Sequence, residues 1–144
     1  MLAIKHLYHI AAPREAVYEA LSTVEGIASW WNTETSGDSS LGGTIELRFG
    51  PSNVMTMKVT ALEPGRTVEW EFLTGANNWA GNRARFDLDE NDGKTRVRFS
   101  HNGWKAQDDN YAATNFSWAR YLMSLRQLCQ TGQGEAFGAV AYRR

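Results

Sequence analysis

The order of its segments constrains this chain more than any motif in it. Short stretches of alternating apolar and polar residues run up to Ser100-His101-Asn102-Gly103-Trp104, and one long amphipathic stretch, residues 108–131, follows them. Strands repeat with a period of two residues and helices with a period of 3.6, so the two patterns do not exchange places. A sheet built first and a single long helix laid across it last enclose a space between them. A cavity, not a catalytic motif, is therefore what the sequence predicts.

Residues 2–10 alternate as a strand. Pro13 suits the first turn of a helix over 13–22, with Glu15 at its positive end and Val17, Ala20 and Leu21 on its apolar side. A second short helix is expected over 24–31. Residues 33–43, rich in Ser, Thr and Gly, are expected as an exposed loop. Ile45, Leu47 and Phe49 then face one way and Glu46 and Arg48 the other. Met55, Met57, Val59 and Ala61 continue the pattern, followed by Val68, Trp70 and Phe72, by Ala84, Phe86 and Leu88, and by Val97, Phe99 and His101. Turns are expected at Gly50-Pro51-Ser52-Asn53, Glu63-Pro64-Gly65-Arg66, Asn77-Asn78 and Asp92-Gly93. Turns this short imply an antiparallel meander with one solvated face. The class is α+β: a curved antiparallel sheet of about six strands, two short helices after the first strand, and one long C-terminal helix.

Asp108 or Asp109 suits the N-cap of the last helix and Gly132 its C-cap. At 1.5 Å per residue the helix is about 35 Å long, enough to cross a curved sheet. Tyr111, Asn115, Trp118, Leu122, Leu125 and Cys129 form one stripe, and Phe116 and Met123 lie on an adjoining one. This apolar arc is wider than one sheet contact needs. Two covers suit the second stripe: the tail after Gly132, with Phe137, Val140 and Tyr142, or another subunit, so a homodimer is one expectation.

With 144 residues the chain is expected to form one domain over 1–144. Its 15 basic and 16 acidic residues leave a formal charge of −1, without the basic footprint of a nucleic-acid binder. No apolar run approaches the ~18 residues of a membrane span, and no secretory leader pattern opens the chain. The single cysteine, Cys129, rules out an internal disulfide and points to a reducing cytoplasm. Residues 37–44 resemble a phosphate loop, but Gly43 stands where the lysine is required and a strand follows instead of a helix. His6 and His9 face opposite sides of a strand and make a poor metal pair, so no metal and no cofactor is expected. The sequon Asn115-Phe116-Ser117 lies inside a helix.

The segments in order resemble the START-like, birch-allergen-like helix-grip superfamily, and within it the branch of homologues of the activator of the heat-shock protein 90 ATPase. The resemblance covers nearly the whole chain. It rests on Ala12-Pro13-Arg14-Glu15-Ala16-Val17-Tyr18-Glu19-Ala20-Leu21, Ser29-Trp30-Trp31, Gly42-Gly43, Ala61-Leu62-Glu63-Pro64-Gly65-Arg66 and Thr95-Arg96-Val97-Arg98-Phe99-Ser100-His101-Asn102-Gly103-Trp104. Trp118, Leu122, Leu125 and Thr131-Gly132 carry it through the last helix. It implies a helix-grip fold, a ligand cavity or a cyclase-type active site, and a chaperone as a further kind of partner.

Alternation turns His6, Tyr8, Phe49, Met55, Met57, Trp70, Phe86 and His101 inward, and Trp31, Tyr111, Trp118 and Leu122 join them from the helices. These twelve form the expected ligand-binding set. The aromatic and methionine walls suit a small apolar or amphipathic molecule. His6, Tyr8, His101 and Tyr111 are buried polar groups that need a partner, from the protein or from a ligand. His101 titrates near neutral pH when unperturbed, but no carboxylate pairs with it, so no catalytic residue is assigned. Of Trp30 and Trp31, one is expected to anchor its helix and the other to stand at the cavity mouth. Arg83, Arg85, Arg96 and Arg98 are expected on the outer sheet face, offset by Glu69 and Glu71. The reading is small-molecule binding. Its alternatives are a cyclase, dehydratase or hydrolase using the same cavity, and a co-chaperone-like interaction module.

Overall fold

The computed structural model describes residues 2–74 and 78–142. Along the chain run β1 (Leu2–Ile10), α1 (Arg14–Ser22), α2 (Val24–Trp30), β2 (Thr35–Gly37) and β3 (Thr44–Arg48). They are followed by β4 (Val54–Glu63), β5 (Thr67–Thr74), β6 (Arg83–Asn91), β7 (Lys94–Trp104) and α3 (Asp109–Thr131). The strands form one antiparallel sheet in the order β1-β7-β6-β5-β4-β3-β2. From β2 to β7 it is a meander, and β1 joins it beside β7, with Ile4 opposite His101 and His6 opposite Phe99.

The period of two becomes burial directly. Ile45, Leu47, Met55, Met57, Val59, Val68, Trp70 and Phe72 are buried, as are Ala84, Phe86, Leu88, Val97, Phe99 and His101. Register shifts at Thr56/Met57 and Val59/Ala61 interrupt the β4–β5 ladder, and such bulges bend a strand and deepen the curvature of the sheet. Burial at this scale supplies the main driving force for the fold, about 25 cal/mol for each Å² of apolar surface removed from water.

Thr35–Gly37 adds a seventh strand inside the stretch expected as a loop. Thr35 lies opposite Leu47 and Gly37 opposite Ile45. Ser, Thr and Gly carry no apolar alternation, so this pairing leaves no trace in a hydropathy pattern. Asn32, fully buried, brings the chain into it. Its Nδ2 donates to the Arg48 carbonyl at 2.8 Å, and its Oδ1 accepts from the Glu34 N–H at 2.8 Å. Of the expected turn at Asn77-Asn78, Asn77 lies outside the described residues, and Asn78 takes a positive φ of 58°.

The helices follow their capping chemistry. Pro13 precedes α1, and Thr23 separates α1 from α2, its Oγ1 accepting from the Gly26 N–H at 2.9 Å. Trp30 Nε1 donates to the Ala20 carbonyl at 2.9 Å and anchors α2 on α1. Asp108 caps α3 by accepting from the Tyr111 N–H at 3.0 Å, and Gly132 ends it in the left-handed conformation. Helix α3 buries Thr114, Trp118, Leu122, Ser124 and Leu125, of which Ser124 meets the tail of the chain.

The tail beyond α3 forms a strap. The Glu135 N–H donates to Ser124 Oγ at 2.7 Å, Ala136 is buried, and Phe137 bridges to Asn32. The Phe137 N–H donates to the Trp31 carbonyl at 2.9 Å, and the Thr33 N–H donates to the Phe137 carbonyl at 3.0 Å. The Phe137 ring packs on Phe49, centroids 5.3 Å apart, and Tyr142 stacks with Tyr121 at 6.5 Å.

On the outer sheet face Arg83 pairs with Glu69 and Glu71, Arg85 with Glu69 and Asp87, and Arg96 and Arg98 with Asp89, all within 3.4 Å. Hydrogen bonding from Arg96 holds the Asp89 carboxyl down at about 2. Among the described residues, no helix is long and apolar enough to cross a membrane.

Candidate functional site

A cavity of about 200 Å³ opens between the sheet and the first half of α3. Its walls are apolar: Trp31, Phe49, Met55, Trp79 and Trp118. Its rim is polar but uncharged. Asn110, Thr114, Ser117 and Tyr121 come from one side of α3 at spacings of four, three and four residues, and Asn53 faces them from the β3–β4 turn. Ala113 completes the lining. No carboxylate, imidazole, thiol or basic group is among these residues. The rings of the wall touch one another: Trp31 lies 4.9 Å from Trp118 and 5.7 Å from Trp70, and Trp79 stacks with Trp118 at 6.0 Å.

Of the twelve expected residues, the fold brings Trp31, Phe49, Met55 and Trp118 to this cavity. Met57, Trp70, Phe86 and Leu122 are buried in the core beneath it. The four expected polar groups bond to the protein. His6 Nε2 lies 2.9 Å from Asn115 Oδ1. The Tyr8 hydroxyl donates to the Leu122 carbonyl at 3.1 Å, and burial pushes the pKa of that phenol well up. The Tyr111 hydroxyl donates to the Ala3 carbonyl at 3.1 Å, which fixes the start of α3 to β1.

His101 is the most enclosed of the four. Its ring sits among Phe72 at 5.2 Å, Trp79 at 4.9 Å and Trp104 at 4.8 Å. Trp118 Nε1 donates to His101 Nδ1 at 3.0 Å. An indole nitrogen only donates, so Nδ1 must be the acceptor and the single proton of the neutral ring sits on Nε2. Nε2 lies 3.1 Å from Asn82 Nδ2, itself a donor, so to accept that proton the Asn82 carboxamide is turned end for end, its oxygen in the place assigned to Nδ2. Gly103 makes room for this arrangement. It has a φ of +109°, and a Cβ there would collide with the Asn82 carboxamide. Burial lowers the His101 pKa to about 3, so the ring is neutral throughout the physiological range and braces the Trp118 wall from behind. Cys129 is equally passive, since burial pushes its thiol up to about 11. Among the described residues no group of three His, Cys, Asp or Glu side chains could hold a metal ion.

Sequence reasoning did not find Trp79, Asn82 or the polar rim. Trp79 follows a turn rather than standing in an alternating run. Asn110, Thr114 and Ser117 recur at helical spacing, the one signal available, but a polar stripe of that kind reads as an ordinary solvated face. The indole N–H groups of Trp79 and Trp104 are buried with no hydrogen-bond partner among the described residues.

The fold is shared with solved structures. An Aha1 dimer from Colwellia psychrerythraea is 34% identical, matches 93% of this chain and 100% of its own, and superposes with a TM-score of 0.84. CalU16 from Micromonospora echinospora is 19% identical over 97% of this chain and 71% of its own, with a TM-score of 0.76. DynU16, from the dynemicin biosynthetic locus, is 18% identical over 92% of this chain and 48% of its own, with a TM-score of 0.73. These last two likenesses speak for the fold alone. No curated protein matches the sequence. The family model for the activator of Hsp90 ATPase homolog 1-like protein matches residues 11–130, so this helix-grip chain belongs to that family.

Proposed function

We propose that this protein binds a small, uncharged molecule with an apolar body and one polar edge in the cavity between the sheet and α3. The observation that carries this reading is the composition of the lining: the apolar and aromatic Trp31, Phe49, Met55, Trp79 and Trp118 together with the uncharged polar groups of Asn53, Asn110, Thr114 and Ser117. A volume of about 200 Å³ suits one or two fused rings better than a long acyl chain. Among the described residues the lining holds no charge to meet an ion, and taking an unpaired charge out of water costs several kcal/mol or more. The buried N–H of Trp79 adds support, because an unmet donor costs about 1–3 kcal/mol and a ligand acceptor would relieve it. Binding is favoured over catalysis because, among the described residues, the Thr114, Ser117 and Tyr121 hydroxyls of the lining have no carboxylate, imidazole or amine in it to activate them, and His101 stays neutral behind Trp118. The chaperone-partner reading rests on the family's description.

The test uses 2-naphthol as probe, followed through the indole N–H signals of Trp31, Trp79 and Trp118 by NMR. Saturable shifts are expected in the native chain, and Ser117→Phe, which fills the cavity from an exposed backbone position, should abolish them while leaving the spectrum folded. Shifts that survive Ser117→Phe would refute the site.

We further infer that the whole chain, 1–144, works as one domain, and that it assembles as a homodimer like its Colwellia relative. The lone Cys129 fits a reducing cytoplasm.

A further inference from the structure

The strap leaves the second apolar stripe of α3 uncovered: Phe116 stays 77% exposed and Met123 51% exposed. Its rings go elsewhere. Phe137 packs on Phe49 and stands edge-on to Tyr142, with centroids 5.3 Å apart in both pairs. Tyr142 in turn stacks on Tyr121 at 6.5 Å. Four rings in series thus run from the end of β3 to α3. The two outer rings, Phe49 and Tyr121, line the cavity, whereas the two middle ones belong to the strap and stand behind them.

We propose that this arch of rings is the end wall of the cavity, and that Phe137, its fixed member, sets the length of ligand the cavity accepts. The proposal rests on the binding reading above and names the residue that determines its size selectivity. Three observations carry it. First, the backbone pins Phe137 beside the cavity. Its N–H donates to the carbonyl of Trp31, itself a wall residue, and its carbonyl accepts from the Thr33 N–H. Second, the outer rings depend on the strap for outward support. Phe49 and Tyr121 are both half-buried, so each has a side that the core does not touch, and Phe137 and Tyr142 stand there. Third, the chain is shaped to complete the arch. The Ala139 N–H donates to the Ala136 carbonyl at 3.0 Å, closing a turn with Gly138 at a φ of +90°, and the strap then runs back to α3. There the Arg120 guanidinium lies 4.4 Å over the Tyr142 ring, and the Tyr142 hydroxyl lies 3.5 Å from that of Tyr121. A ligand longer than two fused rings would have to drive Phe49 outward onto the pinned Phe137. Without the Phe137 ring, Phe49 has room to give way and the cavity lengthens.

The test compares 2-naphthol with 2-anthrol, the same phenol lengthened by one fused ring, using the fluorescence anisotropy of each ligand to obtain its Kd. The native chain should prefer 2-naphthol by about tenfold or more. Phe137→Ala should erase that preference by tightening 2-anthrol, and Phe137→Leu should fall between the two. Tyr142→Ala, which removes no backbone bond, should move the ratio in the same direction. Val140→Ala, fully exposed on the same strap, should keep the native ratio. The NMR signal of the Trp118 indole N–H, bonded to His101, reports in each variant that the wall is intact. An unchanged ratio in Phe137→Ala and Tyr142→Ala overturns the size-setting role and leaves the binding reading standing, as does equal binding of the two phenols by the native chain. Loss of both ligands in Phe137→Ala with the Trp118 signal kept makes the strap a brace alone and also overturns it. No saturable binding of 2-naphthol by the native chain overturns the binding reading and this proposal together.

Discussion

Replacing His101 by a residue that cannot take a proton should remove most of the protein's sensitivity to mild acid. An unfolded histidine has a pKa near 6.5, and in the fold burial holds His101 at about 3. The sign follows from the depressed folded value. The contribution is complete above pH 6.5 and is lost as the pH falls toward 3, because the unfolded chain takes up a proton that the folded ring refuses. Each pH unit inside that window is worth about 1.4 kcal/mol, so lowering the pH from 7 to 4 should cost about 3 kcal/mol through this one ring. That is a large share of the 5–15 kcal/mol typical of a folded domain. His101→Asn is the chosen comparison. Its carbonyl can still accept from Trp118 Nε1, it does not titrate, and its smaller volume should lower stability at pH 7 by about 2 kcal/mol. Urea unfolding followed by circular dichroism at pH 7, 5.5 and 4 gives the free energy for both proteins. Outer-face carboxylates such as Asp89 contribute equally to both and cancel in the difference. The native protein should lose about 3 kcal/mol more than His101→Asn between pH 7 and pH 4. Parallel lines for the two proteins would refute the claim that a neutral, enclosed imidazole braces this wall.

Two further outcomes follow from the same geometry. Gly103→Ala forces a side chain into a positive-φ position against Asn82, and should lower stability by about 2 kcal/mol or more in thermal or urea unfolding. Asp108→Ala removes the N-cap of α3 and should cost about 1 kcal/mol, with the first turn of the helix losing amide-exchange protection before the rest.

The long helix and the strands were legible because each repeats a period over many residues. Ile45 and Leu47, or Val97 and Phe99, declare their side of the sheet in the sequence itself. Both ends of α3 were legible for another local reason: Asp108 and Gly132 answer the unpaired backbone groups of a helix end. The candidate site was legible only in part. Trp31, Phe49, Met55 and Trp118 belong to the alternating or helical patterns and reach the cavity. His101 also belongs to them, yet its role depends on Asn82, nineteen residues away, and on Trp118 from another element. No spacing encodes such a meeting. Strand β2 was illegible because its pairing is a matter of backbone, and Trp79 because a turn places it rather than a period.

The cluster of tryptophans has an optical consequence. Trp30, Trp31, Trp70, Trp79 and Trp118 form a chain of neighbouring rings, with centroids 4.9–6.0 Å apart. Indoles held this close in fixed orientations share their excited states, so the folded protein should display a strong aromatic couplet and dim, blue-shifted emission. Three of these chromophores, Trp31, Trp79 and Trp118, are also walls of the cavity. A molecule entering it would perturb a coupled absorber rather than a single ring, and the chain would report its own occupancy in light without any added dye.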